Sequence, residues 1–339
     1  MNKTALRLPL KKRAQFFRSR PAIYIGVILA AVLAAYAYKF RTETIFSCTA
    51  DGYSSDRYIA YCNGTNYADY EHGAFEFDLE PGVRSHVQDA DVLFLGNSRF
   101  QVALSTDATA NWFSGTTARY YLTGFGYAGN VVFAEELLRT IRPRARVFVI
   151  NVDDFFERSE SPPVKTIFHD PEARPKYEAK RLWQRIHKPI CGASALLCGN
   201  KFVIFRSRET GATYMETPTP KFNTASYDQI VDQKVVDSNI AVAIDFLSRF
   251  AQDKCVILTS VPYVEAKIGN ANAIAMGLGA KLVTPEFPEG LRTFDGSHLD
   301  RPSAERWSQA FFLVAGPRIR SCLEEGTAAH AATHPFVLQ

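Results

Sequence analysis

An uncharged run of 18 residues from Pro21 to Tyr38 limits what this chain can fold into more than any other feature. A helix of this length spans the hydrocarbon core of a bilayer, which is about 30 Å thick. The basic residues that precede the run are Lys3, Arg7, Lys11, Lys12, Arg13, Arg18 and Arg20. Only Lys39 and Arg41 follow it closely. The positive-inside rule therefore predicts a cytoplasmic N-terminus and a folded part outside the cytoplasm.

We accordingly expect a basic cytoplasmic segment at 1–20 and a transmembrane anchor at 21–39. A cleaved signal peptide is the alternative, but the run is long and lacks a clear cleavage site between small residues. The prediction is a single-pass protein of the inner membrane with a periplasmic domain.

The net charge of +4 belongs to this N-terminal region. Nine of the 39 basic residues lie in or beside the anchor, which leaves 30 basic against 35 acidic residues in the rest of the chain. A nucleic-acid-binding domain would carry a basic face of its own. No nucleic-acid partner is expected.

All six cysteines follow the predicted anchor, as expected for disulfides in an oxidising compartment. Local spacing predicts the pairs Cys48–Cys62 and Cys191–Cys198, which leaves Cys255 at a strand start to pair with Cys322 at the end of the last helix. Six cysteines allow 15 pairings, and buried free thiols are the alternative. No Cys-x-x-Cys or paired histidine spacing indicates zinc, so we expect neither a metal nor an organic cofactor.

Strand-like and helix-like segments alternate from Asp89 onward. The predicted strands lie near 91–96, 118–123, 146–151, 254–261 and 280–284. The predicted helices lie near 129–141, 229–250, 267–278 and 302–320. This alternation predicts an α/β domain at 89–323, with a doubly wound, parallel five-stranded sheet between helix layers and a site at the carboxyl ends of its strands.

Three segments depart from the alternation. Residues 42–88 show little periodicity and predict an irregular stalk or cap. Residues 157–228 form a proline-rich insertion, of the kind that serves as a lid or substrate platform. Candidates there for contact with a sugar or an acidic group, with ordinary packing as the alternative, are Trp183, His187, Arg206 and Arg208. Residues 324–339 are expected to form a flexible tail.

Two distant stretches supply the residues of nucleophilic acyl chemistry. The apolar run from Asp91 predicts a buried strand that ends in Gly96-Asn97-Ser98. Asp295 and His298 stand three residues apart, ahead of the final helix. Such chemistry needs a hydroxyl, an imidazole that takes its proton and a carboxylate that orients the imidazole.

This arrangement resembles the SGNH, or GDSL-type, hydrolase superfamily. The Gly-Asp-Ser block of that superfamily appears here as Gly96-Asn97-Ser98, and its Asp-x-x-His block appears as Asp295-Gly296-Ser297-His298. The nucleophile elbow of the α/β-hydrolases is absent, since Phe100 stands where its second glycine belongs. The resemblance implies that Ser98 is the nucleophile, His298 the general base and Asp295 its orienting partner.

The resemblance also implies an oxyanion hole built from Ser98, a glycine amide and an asparagine side chain. Gly126 is the preferred glycine, with Gly124 as the alternative. Strict alignment puts Asp153 in the asparagine position, but an ionised carboxylate only accepts hydrogen bonds. Asn151 is therefore the preferred donor and Asp153 the alternative.

Members of this superfamily include esterases, lipases, deacetylases and acyltransferases that modify polysaccharides. Several membrane-tethered members work beside a multispanning membrane acyltransferase. We therefore expect a cell-envelope O-acyltransferase or esterase acting on a glycan or an acylated envelope polymer. The alternative is a catalytically silent scaffold for a polysaccharide or a membrane-bound biosynthetic partner. Arg99, beside the nucleophile, is expected to bind substrate or to pair with Asp153 or Asp154.

Overall fold

The computed structural model describes residues 20–127, 129–193, 198–215, 223–286 and 289–332 of the chain. The basic residues from Lys3 to Arg18, on which the predicted topology depends, lie outside these ranges. So do residues 333–339 of the predicted tail.

Helices and strands alternate along the described chain. The helices are α1 (Arg20–Glu43), α2 (Tyr70–Glu76), α3 (Val83–Asp89), α4 (Ser98–Leu104), α5 (Asp107–Ser114), α6 (Val131–Ile141), α7 (Pro162–His169), α8 (Ala173–Ala193), α9 (Gln233–Phe250), α10 (Ile268–Gly277) and α11 (Arg301–Ala332). The strands are β1 (Arg57–Cys62), β2 (Val92–Asn97), β3 (Tyr120–Phe125), β4 (Val147–Asn151), β5 (Val203–Ser207), β6 (Thr213–Met215), β7 (Asn223–Thr224), β8 (Cys255–Thr259) and β9 (Arg292–Thr293).

Four parallel strands form the central sheet within the described ranges, in the order β3-β2-β4-β8. Every residue of β2 and β4 is buried, as expected when helices cover both faces of a parallel sheet. Leu95 of β2 pairs with Thr123 of β3 and with Ile150 of β4. The carboxyl ends of these three strands therefore meet at one edge, where doubly wound sheets place their ligand sites.

The prediction of a fifth strand at 280–284 is corrected by the structure. That segment contributes a single parallel bridge between Leu282 and Leu258. The amide of Val283 donates to the backbone oxygen of Leu258 at 2.8 Å, and the pairing goes no further. Pro285 follows directly and has no amide hydrogen with which to extend a ladder.

Alternate residues of the central strands pack into two apolar layers. Leu93 and Phe148 join one layer, which contains residues of α6, α9 and α10. Val92 joins the other, which contains Trp307 and Phe311 of α11. Successive side chains of a strand point to opposite faces, so the sheet is covered on both sides. The chain is thus a mixed α/β protein.

A second, antiparallel sheet in the order β1-β5-β6 joins two segments that are distant in sequence. We call these three strands the cap sheet. Ile59 of β1 pairs with Phe205 of β5 in its register. The prediction that 42–88 is irregular was wrong, since this segment contains β1, α2 and α3. Three consecutive buried residues in β1, Tyr58 to Ala60, leave no simple alternation that sequence periodicity could detect.

All three predicted disulfides are present: Cys48–Cys62, Cys191–Cys198 and Cys255–Cys322. The third ties the start of β8 to α11 across a sequence separation of 67 residues. In the chain-entropy model, closing a loop of that length stabilises the fold by about 4 kcal/mol.

Helix α1 is long and apolar enough to cross a membrane, with a mean hydropathy of 1.9 over its apolar stretch and none of that stretch buried. A signal sequence would meet the same criteria. Beyond the stretch, Phe40 stacks on Phe46 with ring centroids 4.4 Å apart. The Lys201 ammonium donates to the backbone oxygen of Thr42. The carboxyl end of α1 is therefore attached to the folded part of the chain.

The final helix is longer than predicted. Helix α11 continues to Ala332, whereas the sequence predicted a helix near 302–320 and a flexible tail from residue 324. Alanine is the strongest helix former, so the alanine-rich segment supports continuation of the helix.

Candidate active site

Ser98 lies where strand β2 turns into helix α4. The side chain of Asn97 caps this helix, and its Oδ1 accepts from the amide of Arg99 at 3.1 Å. The turn is too crowded for a side chain at Gly96, because a Cβ there would lie 2.8 Å from the Phe100 ring. Glycine at 96 therefore permits the close packing that directs Ser98 to the edge of the sheet.

Ser98, His298 and Asp295 form a continuous hydrogen-bonded chain. The Oγ of Ser98 lies 2.8 Å from Nε2 of His298. The Nδ1 of His298 lies 2.7 Å from Oδ2 of Asp295. The imidazole tautomer with its proton on Nδ1 donates to Asp295 and leaves Nε2 free to accept from the serine hydroxyl. The structure brings together the three residues that were predicted from stretches two hundred positions apart.

The loop before α11 holds the acid and the base in this geometry. The second carboxylate oxygen of Asp295, Oδ1, accepts from the amides of Ser297 at 2.9 Å and His298 at 2.8 Å. Gly296 has φ +87°, a conformation that favours glycine. Burial alone would raise the pKa of Asp295, but the hydrogen bonds and charge of His298 and the two amides outweigh it and hold the pKa at about 2. Asp295 is therefore ionised at neutral pH.

Arg99 connects three loops of the site. Its Nη1 donates to Asp153 at 2.6 Å and to Asp154 at 3.0 Å, and its Nε donates to Ser297 Oγ at 2.9 Å. Its guanidinium carbon lies 4.0 Å from the ring centroid of Tyr263. Of the two predicted roles, substrate binding and pairing with Asp153 or Asp154, the structure shows the pairing. The bond from Arg99 to Ser297 also joins the nucleophile loop to the histidine loop.

Asp153 is buried and faces this network. Its Oδ1 accepts from the Tyr263 hydroxyl at 3.1 Å, and its backbone oxygen accepts from Asn97 Nδ2 at 3.0 Å. Burial raises the pKa of the Asp153 carboxyl, Asp154 adds to the rise, and the Arg99 guanidinium opposes it. A carboxylate engaged in this way is an acceptor and offers no donor to an oxyanion.

Asn151, the preferred asparagine donor, is the last residue of β4 and is fully buried. Neither atom of its side-chain amide has a hydrogen-bond partner among the described residues. Asn151 is not part of the described wall of the cavity that contains Ser98. In this structure its amide is therefore not presented to a ligand beside the nucleophile.

Both predicted glycine amides already have acceptors. The amide of Gly126 donates to Glu71 Oε1 at 2.9 Å, and the amide of Gly124 donates to Gln101 Oε1 at 2.9 Å. Both glycines lie in the wall of the same cavity as Ser98. Both glycines therefore lie near Ser98, as predicted, but their amide groups already donate to side-chain oxygens.

Glu71 and Arg206 form an ion pair beneath this wall. Arg206 is fully buried, and its Nη1 donates to Glu71 Oε2 at 2.9 Å. Its Nη2 donates to the backbone oxygen of Leu122 at 2.6 Å. The guanidinium carbon lies 4.8 Å from the ring centroids of Phe75 and Phe125. Arg206 was a candidate for contact with a sugar or an acidic group. In the structure it is buried and serves in packing and ion pairing instead.

A cavity of about 290 Å³ opens at Ser98 and His298. The cap sheet, the segment before β5, helix α4, the turn after β3 and the histidine loop all contribute apolar or aromatic residues to its wall. Those described there are Tyr61, Val102, Tyr127, Phe202, Ile204, Met215 and Phe294. Phe202, Ile204 and Met215 belong to the 157–228 insertion, which therefore contributes directly to the cavity.

No family model, curated protein or solved structure matches this chain.

Glu71 and Gln101 are the residues that sequence reasoning missed at this site. Gly126 lies 55 residues from Glu71 and Gly124 lies 23 residues from Gln101. No motif spans either separation, and Glu71 lies in the segment predicted to be irregular. Only the assembled fold brings these oxygens to the glycines.

Away from this cavity, the described residues include one cluster of side chains of the kinds that bind metal ions. Ligand atoms of His187, Cys191 and Cys198 come within 4.8 Å of one another. The two sulfur atoms are joined in a disulfide, so neither is a thiolate that can bind a cation.

Proposed function

We propose that this chain is a serine-dependent O-acyltransferase or ester hydrolase of the cell envelope that acts on a glycan or an acylated envelope polymer. The observation that carries the proposal is the hydrogen-bonded chain from Ser98 through His298 to Asp295 at the mouth of a cavity with a largely apolar wall. The resemblance to SGNH hydrolases agrees with it in the order of the three residues.

The chemistry proceeds through an acyl-enzyme. Ser98 Oγ attacks the acyl carbonyl while His298 Nε2 takes the serine proton, and the same proton passes from Nε2 to the departing oxygen. Asp295 stabilises the charged imidazole and keeps its proton on Nδ1. A sugar hydroxyl or water then attacks the acyl-serine, with His298 again acting as base and then as acid.

The oxyanion of each tetrahedral intermediate requires donors beside Ser98. As the first residue of α4, Ser98 has an amide with no acceptor inside its own helix. Gly126 supplies the second donor when Glu71 Oε1 moves off its amide. Each such donor is worth about 3 to 4 kcal/mol in the transition state. The apolar wall of Val102, Ile204 and Met215 accommodates the acyl chain.

Helix α1 and the disulfides support a proposed location for the chain. We propose that α1 is an uncleaved inner-membrane anchor with a cytoplasmic N-terminus, and that the α/β domain is periplasmic. A single span cannot by itself form a path for acyl groups across the bilayer. A multispanning membrane acyltransferase is therefore the proposed supplier of the acyl donor.

The silent scaffold remains a second candidate because one specific observation favours it. The amides of Gly126 and Gly124 are occupied and Asp153 is turned to Arg99, so the described residues do not form a complete oxyanion hole. In that case the cavity would bind a glycan or a partner without turnover.

Mass spectrometry of the full chain in detergent after incubation with p-nitrophenyl acetate separates these candidates. The proposal expects an acetyl adduct on Ser98 that is absent in Ser98→Ala and His298→Ala. Faster loss of the adduct with oligosaccharide than with water indicates a transferase, and loss to water alone indicates an esterase.

A fluorophosphonate probe serves as the second readout, since it reports an activated serine without needing the natural donor. A folded chain that takes neither acetyl nor phosphonate would refute the enzyme and leave the scaffold.

A further inference from the structure

Helix α8 has one face fixed to β1 and to the segments that flank it. The side-chain amide of Gln184 donates to the backbone oxygen of Ile59 at 2.8 Å and accepts from its amide at 3.1 Å. The buried His187 has its Nε2 3.2 Å from the backbone oxygen of Cys48. Tyr177 donates to Asp69 at 2.7 Å. These contacts, spread over three turns, hold the helix rigidly against the domain.

The opposite side of α8 is apolar and exposed. Leu182 is 61% exposed and Trp183 is 44% exposed. Ala179 is exposed, and Ile186 and Ile190 are half-buried. Spacings of three and four residues place these side chains on one stripe of the helix, away from the buried face. We call this stripe the α8 face. Its inner members, Ile186 and Ile190, pack partly against the core, and one edge of Trp183 contacts α1, so the part left open to solvent is centred on Leu182 and the outer side of Trp183.

The charge of α8 is opposite to that of the domain around it. Six lysines and arginines but one acidic residue, Glu178, occur between Ala173 and Ala193. The chain from Thr42 onward carries 30 basic and 35 acidic residues in all. Basic residues such as Lys176 and Arg185 are exposed beside the apolar stripe. An exposed apolar stripe with basic flanks is typical of helices that lie in the plane of an anionic lipid surface.

The exposed tryptophan of α8 lies beside the end of the apolar helix α1. The rings of Trp183 and Phe40 are 6.2 Å apart, and those of Trp183 and Phe46 are 6.0 Å apart. Phe40 follows the uncharged run by two residues, which is about 3 Å along the helix axis. Trp183 therefore lies level with the end of the apolar stretch of α1. Tryptophan concentrates at this depth in membrane proteins, between the acyl chains and water.

We propose that the α8 face rests on the outer lipid surface of the membrane that holds α1, with Leu182 and Trp183 among the headgroups and the basic residues on anionic lipid. This inference rests on the anchor that is part of the proposed function. It adds a second attachment, which fixes the orientation of the domain and of its cavity relative to the bilayer.

Tryptophan quenching in the full chain, reconstituted in lipid vesicles, tests the proposal. The difference in emission between the chain and Trp183→Phe isolates Trp183 from Trp112 and Trp307. The expected difference spectrum is shifted to shorter wavelength and is lost when the lipids carry a nitroxide in the headgroup region. A matched control is Trp183→Phe with Met276→Trp, which places a tryptophan at an exposed site on α10.

Three outcomes would overturn the proposal. The first is a Trp183 signal that is insensitive to the nitroxide lipid and as accessible to acrylamide as that of the Met276→Trp control. The second is protection of Trp183 in native membranes but not in pure lipid, which would assign the α8 face to a protein partner. The third is extraction of the chain by alkaline carbonate, which would remove the anchor as well.

Lipid charge gives a further check. Quenching is expected to be stronger with phosphatidylglycerol than with phosphatidylcholine alone, and Lys176→Glu with Arg185→Glu is expected to abolish that difference. Equal quenching in both lipids would refute the role of the basic residues. Because the readout needs no turnover, an inactive chain that is still quenched would refute the proposed enzyme and support the membrane contact.

Discussion

The amide of Gly126 donates a hydrogen bond to Glu71 Oε1 at 2.9 Å, within the cavity wall that also contains Ser98. This contact gives the proposed enzyme a closed arrangement in which a carboxylate occupies an oxyanion donor. Glu71 is in turn held by the fully buried Arg206. The state of the donor therefore depends on an ion pair that lies outside the three reacting side chains.

Glu71→Gln tests the energetics of this pair. The amide oxygen still accepts from Gly126, but Arg206 loses its countercharge in the interior. Leaving one member of a buried pair uncompensated costs about 3 to 5 kcal/mol. We expect a clear fall in Tm, measured by circular dichroism in detergent.

Glu43→Gln is the matched control, because the Glu43 carboxylate is largely exposed. Addition of Arg206→Met to Glu71→Gln is expected to recover much of the loss, since the unpaired charge is then removed. An unchanged Tm in Glu71→Gln would contradict the importance of the pair.

Arg99→Met distinguishes the two roles predicted for Arg99. As a positioning residue, Arg99 holds the loops of Ser98 and His298 together, and a displacement of about 1 Å at a reacting group costs about 100-fold in rate. We expect kcat to fall by up to that factor with KM nearly unchanged, measured with p-nitrophenyl acetate.

A rise in KM at constant kcat would instead assign Arg99 to substrate binding. Arg119→Met, on an exposed arginine, is the control and is expected to leave both constants unchanged.

Asp295→Asn removes the charge that orients His298. With its pKa held at about 2, Asp295 is ionised throughout the neutral range, and its replacement turns the imidazole to the wrong tautomer. We expect kcat to fall by about ten-thousandfold with the fold retained, by analogy with other serine triads. Stopped assays with long incubation times measure the residual rate.

Asp253→Asn, in an exposed turn, is the control for Asp295→Asn. Near-native activity in Asp295→Asn would remove the carboxylate from the mechanism.

His72 predicts a pH dependence of stability. It is fully buried, and both ring nitrogens lack partners among the described side chains. Burial lowers its pKa below the ordinary 6.5, and the nearby carboxylates of Glu71 and Asp69 offset this in part. Below pH 6.5 the His72 imidazole is protonated in the unfolded chain but stays neutral in the folded chain. The free energy of unfolding therefore falls as the pH drops below 6.5.

His72→Leu is expected to reduce this loss, by up to about 1.4 kcal/mol per pH unit. Denaturation of both chains at pH 8 and at pH 5.5 measures it, and the difference between the chains cancels contributions from other groups. Parallel pH profiles for the two chains would show that His72 does not titrate in this way.

The sequence predicted the elements whose signals are local. Four parallel strands, the Cys48–Cys62 and Cys191–Cys198 disulfides and the positions of Ser98, Asp295 and His298 followed from apolar runs, glycine turns and spacing. The Cys255–Cys322 disulfide, across 67 residues, followed only as the remaining pair. Continuous apolar runs mark strands buried on both faces, and such strands end where the polar residues begin. The prediction of a fifth strand was wrong for an equally local reason, because Pro285 ends the pairing after one bridge.

Other features depend on contacts between distant residues. The cap sheet pairs β1 with β5, across nearly 150 positions. The acceptors of the Gly126 and Gly124 amides are side chains that no short motif relates to them. The role of Arg99 was left open between substrate and carboxylates because a sequence does not show which partner lies nearer.

The bond from Lys201 to the end of α1 has a consequence for how substrate is found. Phe202, the next residue, lines the cavity, so the cavity wall begins one peptide bond away from a contact with the proposed anchor. If the proposed enzyme takes its acyl donor from the same bilayer, that donor would diffuse in two dimensions towards an opening held near its own plane. Its local concentration would then be set by the membrane rather than by the surrounding volume, so weak intrinsic affinity would be sufficient for efficient capture.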